Sequence, residues 1–162
     1  MGVDIGRERS GTAVAVVATD GRVPARVRQG DQAVIDAADY LRRLHKRFRL
    51  LAVGFDPWRF QTEAGRLERE GLPMVKVPQS AEAMTLASER LYASIVQGEL
   101  THDRDPVLAK HIANATAKSS PRGWRLVRSK RSGQIDATIA LAIANSLRLA
   151  PRPASPAFVG WV

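Results

Sequence analysis

The chain contains no cysteine, which excludes disulfides, zinc knuckles and thiol catalysis. Aromatic residues are only 6% of its 162 positions. No apolar stretch reaches the roughly 18 residues that a membrane span needs, and the N-terminus lacks the basic-then-apolar order of a signal peptide. Negative charge is also scarce: 16 Asp plus Glu stand against 25 Lys plus Arg, a net charge of +9, and only 5 of the cations are Lys. The remaining balance, 44% hydrophobic and 25% charged, is that of one soluble globular domain with a real core. A surplus of positive charge attracts polyanions, with nucleic acid first among them and an anionic membrane surface second.

The shortage of acid is local. From Pro106 to Ile135 there is no Asp or Glu, while Lys110, Lys118, Arg122, Arg125, Arg128, Lys130 and Arg131 supply seven cations, which leaves +2 of the net +9 for the rest of the chain. A smaller basic run, Arg42, Arg43, His45, Lys46, Arg47 and Arg49, closes the first long helical pattern. A solvated face, with cations at the favourable end of a helix dipole, accounts for it as well as a polyanion-binding role does.

Gly2 to Gly6 and Thr12 to Ala18 are β-branched and apolar runs joined by the polar link Arg7 to Gly11, the pattern of a hairpin. A third run, Arg22 to Arg28, alternates apolar and cationic residues around Pro24 and predicts an edge strand. Asp31 is placed to cap a helix to about Phe48, with Val34, Ala38, Leu41 and Leu44 as its stripe. Leu50 to Phe55 and Met74 to Val77 predict buried parallel strands around a helix from about Trp58 to Glu70. Ser80 is placed to cap a long helix to about Gln97 with a core stripe of Met84, Ala87, Leu91 and Ile95. Pro106 to Ala115 reads as a short helix, Ala117 to Lys130 as a basic hairpin turning near Ser119 to Gly123, and Gln134 to Leu149 as a very apolar helix. The expected fold is a mixed α/β sandwich over residues 1–150, three antiparallel strands followed by parallel ones, with a Pro-rich tail over 151–162.

Three aspartates stand where burial is expensive unless a cation is bound. Asp4 is central in the first strand run, Asp56 closes the most hydrophobic one, and Asp136 lies in the first turn of the most apolar helix. Each has a bland explanation: a solvent-facing edge, a turn before Pro57, a favourable helix-terminal charge. Together they are the hard oxygen donors that suit Mg²⁺ or Mn²⁺, and next to a basic, Trp-containing hairpin they have the composition of a metal-dependent nuclease.

At this point the sequence resembles the nuclease domain of the large terminase subunit of tailed bacteriophages. The matching text is Gly2-Val-Asp4-Ile-Gly6 with Gly11-Thr-Ala-Val, then Gly54-Phe-Asp56-Pro-Trp-Arg59, Ser80 to Leu100, His102 with Asp105-Pro-Val-Leu108, His111 with Asn114-Ala115, and Ile135-Asp136-Ala-Thr-Ile-Ala140. The resemblance covers about residues 2–149 and implies an RNase H-like fold. It implies a metal-dependent endonuclease that cleaves double-stranded viral DNA concatemers during genome packaging by two-metal-ion phosphodiester hydrolysis, leaving a 3′ hydroxyl and a 5′ phosphate. Asp4 would bridge two divalent ions, Mg²⁺ or Mn²⁺, with Asp56 and Asp136 each helping to hold one. Lys118, Arg122, Arg125, Arg128, Lys130 and Arg131 would contact the DNA backbone without reading sequence. Arg59 could touch phosphate, while Trp58 is expected to pack. His102 and Asp105 are candidate accessories, although a polar loop and a helix cap explain them better. The resemblance further implies the small terminase subunit, the portal and an ATPase domain as partners, and the host cytoplasm as location.

The ATPase domain is expected to be absent from this chain, an excised domain or a truncated gene product. Gly6-Arg-Glu-Arg-Ser-Gly11-Thr12 lacks the lysine of a phosphate-binding loop and leads into a strand pattern, so it reads as a hairpin turn. An actin-like or sugar-kinase ATPase shares the first motif but needs a second domain. A junction resolvase, or a catalytically silent DNA-binding packaging module, is the alternative.

Overall fold

The computed structural model describes residues 1–5, 12–28, 32–121, 123–129 and 133–150. The side chains of residues 3–5, 25, 26, 28 and 59 lie outside that description, as do the link Arg7 to Gly11, Asp31, Arg122, Lys130, Arg131 and the tail 151–162.

β1 (Gly2–Ile5) pairs antiparallel with β2 (Thr12–Ala15) in the register Val3 to Val14, as the two short apolar runs predict. The third run divides at Pro24, which has no N–H to give a ladder. Its first part, β3 (Arg22–Val23), pairs in parallel with β7 (Thr101–His102), and its second, β4 (Ala25–Arg28), pairs antiparallel with β2. β5 (Val53–Phe55) lies parallel to β1, and β6 (Met74–Lys76) parallel to β5. The five-stranded order is β4-β2-β1-β5-β6. β6 is therefore an edge strand and not the buried one expected: Val75 is exposed.

Five helices accompany the sheets: α1 (Ala33–Arg47), α2 (Pro57–Arg69), α3 (Ala81–Val96), α4 (Pro106–Asn114) and α5 (Asp136–Arg148). The alternation of β2 divides them. Val14 joins Val53, Phe55, Leu41, Phe60 and Leu67 in a core against α1 and α2, whereas Ala13 and Ala15 face a second core with Met84, Leu91, Leu108 and Ile143 from α3, α4 and α5. The sheet thus lies between two helical layers. Gly2 and Gly54 let α5 approach closely: a Cβ on Gly2 would overlap the Ala140 carbonyl, and one on Gly54 would press on Ile143 and Leu147.

Local signals set most helix starts. Ser80 accepts from the Ala83 N–H at 3.2 Å, as its position predicts. At α1 the N-cap is Gln32, without a side-chain bond. The stripe of α3 departs from expectation at Ile95, which is exposed, while Ser88 and Ser94 are buried. Ser88 donates to the Met84 carbonyl, and Ser94 accepts from the buried Asn145 amide of α5, so hydroxyls with partners occupy part of that face. In the smaller basic run, Arg42 makes a two-pronged ion pair with Glu70, at 2.7 Å for each bond, and reaches Asp39 at 2.8 Å, joining α1 to the end of α2. No helix among the described residues is long and apolar enough to cross a membrane.

Candidate metal centre and nucleic-acid interface

The parallel register of β1 and β5 pairs Gly2 with Gly54 and Val3 with Phe55. Asp4 follows Val3 within β1 and Asp56 follows Phe55 just beyond β5, so they take corresponding positions along two neighbouring parallel chain segments. Asp56 is also the N-cap of α2. Its Oδ1 accepts from the Trp58 N–H at 3.2 Å, and Pro57 fills the first helical position, where its missing N–H forfeits nothing.

Asp136 is the first residue of α5, the helix that crosses β1 one turn later at Ala140. It is 8% exposed, and its Oδ2 is buried with no hydrogen-bond partner among the described residues. Desolvation pushes its pKa up from 3.8 to about 6, while the Arg128 guanidinium pulls the other way. A buried carboxylate oxygen without a donor is rare. It is the arrangement a hard divalent cation completes, so this residue fits a metal ligand. Among the described residues no three His, Cys, Asp or Glu form a metal cage. Asp4, whose side chain lies outside that description, is the one expected member this leaves open.

The neighbouring helix prepares the head of α5. Ile135 at the N-cap makes no side-chain bond. His111 of α4 instead accepts the Ala137 N–H through Nδ1 at 3.0 Å, and Asn114 donates to the Gln134 carbonyl at 3.0 Å. Burial first, and Lys110 second, hold the His111 pKa below its ordinary value, so the ring is neutral at neutral pH and has a lone pair to offer. Sequence reading placed both residues in the resemblance but gave them no role. Their i, i+3 spacing on one helix face was the available signal.

The basic stretch folds as β8 (Ala115–Ser120) and β9 (Gly123–Arg128), an antiparallel hairpin that starts two residues earlier than predicted. It stands on α3: Leu126 N–H donates to Ser88 Oγ at 3.0 Å, and Trp124 meets Tyr92 edge-on at 5.7 Å between centroids. Lys118 lies directly opposite Arg125, and neither has an ion-pair partner among the described residues. Like charges facing each other across a ladder repel, and a phosphate between them removes that penalty. Thr116, Lys118, Arg125 and Arg128 line one open groove. Arg128 closes β9 and acts on Asp136 electrostatically, so the hairpin and the buried carboxylate adjoin.

The accessory candidates have local occupations. Asp105 is the N-cap of α4 and accepts from the Leu108 N–H at 2.8 Å. His102 is exposed and accepts from the Arg104 N–H at 3.1 Å. Trp58 overturns its expectation outright: it does not pack, being 85% exposed. Arg122, Lys130 and Arg131, and the side chain of Arg59, lie outside the described residues.

The family model of the terminase large subunit endonuclease domain matches residues 9–150. The chain belongs to this family. A terminase relative, the large subunit of enterobacteria phage HK97, is 31% identical over 101 residues, which are 60% of this chain and 20% of that protein. The chain thus matches about a fifth of the length of that curated relative. Its fold is shared with the large terminase nuclease from thermophilic phage G20c (TM-score 0.74, 19% identity, 90% of this chain and 79% of that one). It is also shared with the HK97 bacteriophage large terminase (TM-score 0.75, 22% identity, 90% and 38%). The G20c nuclease has been solved with bound magnesium, cobalt and zinc.

Proposed function

We propose that this terminase nuclease domain is a divalent-metal-dependent endodeoxyribonuclease of RNase H-like architecture, cutting double-stranded viral DNA concatemers during packaging in the host cytoplasm. The observation that carries the reading is the buried, donorless Oδ2 of Asp136 beside a cationic hairpin. Asp4, Asp56 and Asp136 would hold two ions, Asp4 both of them and the others one each. When bound, Mg²⁺ or Mn²⁺ supplies the positive charge that makes water a nucleophile at neutral pH and stabilises the leaving 3′ oxygen.

The chain's own residues do the rest. Asp136 must be ionised to bind, so binding strengthens as pH rises through about 6, and Arg128 favours the charged form. His111 and Asn114 fix the turn that presents it. Lys118, Arg125 and Arg128, with Arg122, Lys130 and Arg131 of the same stretch, take phosphate charges on a duplex. Such contacts position DNA without reading sequence, so cleavage is largely sequence-nonspecific and strongly salt-dependent. Asp105 caps α4 and His102 is exposed at the end of β7, and this mechanism assigns neither of them a step. The small terminase subunit, the portal and an ATPase domain are the proposed partners.

Supercoiled plasmid incubated with Mg²⁺, Mn²⁺ or EDTA tests the reading. The wild type nicks in metal only, and Asp4→Asn, Asp56→Asn and Asp136→Asn each lose at least about a hundredfold in rate. Full activity in any variant removes that residue from the site. DNA binding without cleavage by the wild type establishes the silent packaging module instead.

A further inference from the structure

Trp58 is the most exposed large hydrophobic side chain among the described residues, at 85%. It is the second residue of α2, and its own N–H is held by Asp56 Oδ1. Its neighbour Phe60 is 1% exposed and packs against Phe55 at 6.1 Å between centroids. α2 therefore has an apolar face, and Trp58 is off it. Trp124, by contrast, rests on Tyr92. An indole in water forgoes the large gain that burial of an aromatic brings, and the helix start needs none of it, since Asp56 and Pro57 already satisfy that end.

The indole carries no charge and cannot recognise phosphate. What it offers is a flat aromatic face, whose natural partner in DNA is the face of a base. In an intact duplex those faces are covered by stacking, and they become available where the strands are unpaired or unstacked.

We propose that Trp58 is a stacking platform that seats an unpaired or unstacked nucleotide beside Asp56, so that the site prefers DNA that is locally opened over intact duplex. This rests on the nuclease reading above. Loss of one stacked base weakens binding roughly five- to a hundredfold, and the platform contributes nothing to the counterion term that phosphate contacts govern.

The test compares cleavage in Mn²⁺ of a linear duplex and of the same duplex carrying a short central unpaired stretch. The wild type prefers the opened substrate, Trp58→Ala loses at least about fivefold of that preference, and Trp58→Phe retains part of it. The salt dependence of binding is the same in all three. In EDTA, oligothymidylate quenches the tryptophan fluorescence of the wild type, and this quench is smaller in Trp58→Phe, which keeps Trp124 and Trp161. Unchanged preference and quenching in the Trp58 variants overturn the platform while leaving the nuclease reading intact. A wild type that cuts neither substrate overturns both.

Discussion

At the head of α4, Asp105 accepts the Leu108 N–H at 2.8 Å, and the carboxylate satisfies the helix end. At the head of α5, Asp136 does nothing of the kind: the Ala137 N–H goes to His111, and one oxygen of Asp136 is buried without a donor. These helices pack on one another, and each has an aspartate at or next to its N-cap. One aspartate stabilises its helix, whereas at the other helix a histidine takes the backbone N–H and the buried carboxylate is left at a cost in stability. Asp56 stands between the two, since it caps α2 through the Trp58 N–H and still has its other oxygen to offer.

Breaking the support is expected to have the largest effect. His111→Ala removes a buried ring, 4% exposed, and leaves the Ala137 N–H without its acceptor, so unfolding free energy falls by about 3 kcal/mol. A loss of less than about 1 kcal/mol in urea denaturation would mean that α5 starts unaided.

Next in size is a gain. The Asp136 pKa lies above its unfolded value, so the folded state holds its proton longer and stability falls as pH rises from about 4 through about 6. Without metal at pH 7.5, Asp136→Asn is expected to stabilise by about 2 kcal/mol, with the gain vanishing near pH 4. A variant that is less stable than wild type at pH 7.5 would contradict the strained-carboxylate account. His111 titrates with the opposite sign: its folded pKa is lowered, so its contribution is lost as pH falls below the unfolded value.

Smallest is Asp105→Ala, a loss of about 1 kcal/mol typical of an N-cap, with the rate of plasmid nicking within about twofold of wild type. A larger fall in rate at unchanged stability would return Asp105 to the site.

Much of this arrangement was legible in the sequence, for reasons that differ by residue. Asp56 and Asp136 stood out because charge in apolar text is locally visible, and Ser80 because a cap is a local signal. The break at Pro24 was half legible: proline marked an edge, but the partner of Arg22 and Val23 is Thr101 and His102, nearly eighty residues away. Met74 to Val77 looked buried because an apolar run does not say which strand is last in the sheet. Trp58 was misread for a related reason. Aromatics are usually buried, and only the face chosen by Phe60 and Leu67 shows that α2 turns this one outward. His111 carried no sign that its partner would be a backbone N–H of another helix.

Calorimetric titration of Mn²⁺ into the wild type and Asp136→Asn at pH 7.5, in the absence of DNA, tests the central assignment most directly. Saturable binding by the wild type, weakened at least about tenfold by the substitution, is the predicted result. Equal affinity in the two proteins would contradict the claim that the donorless carboxylate at the head of α5 holds the metal.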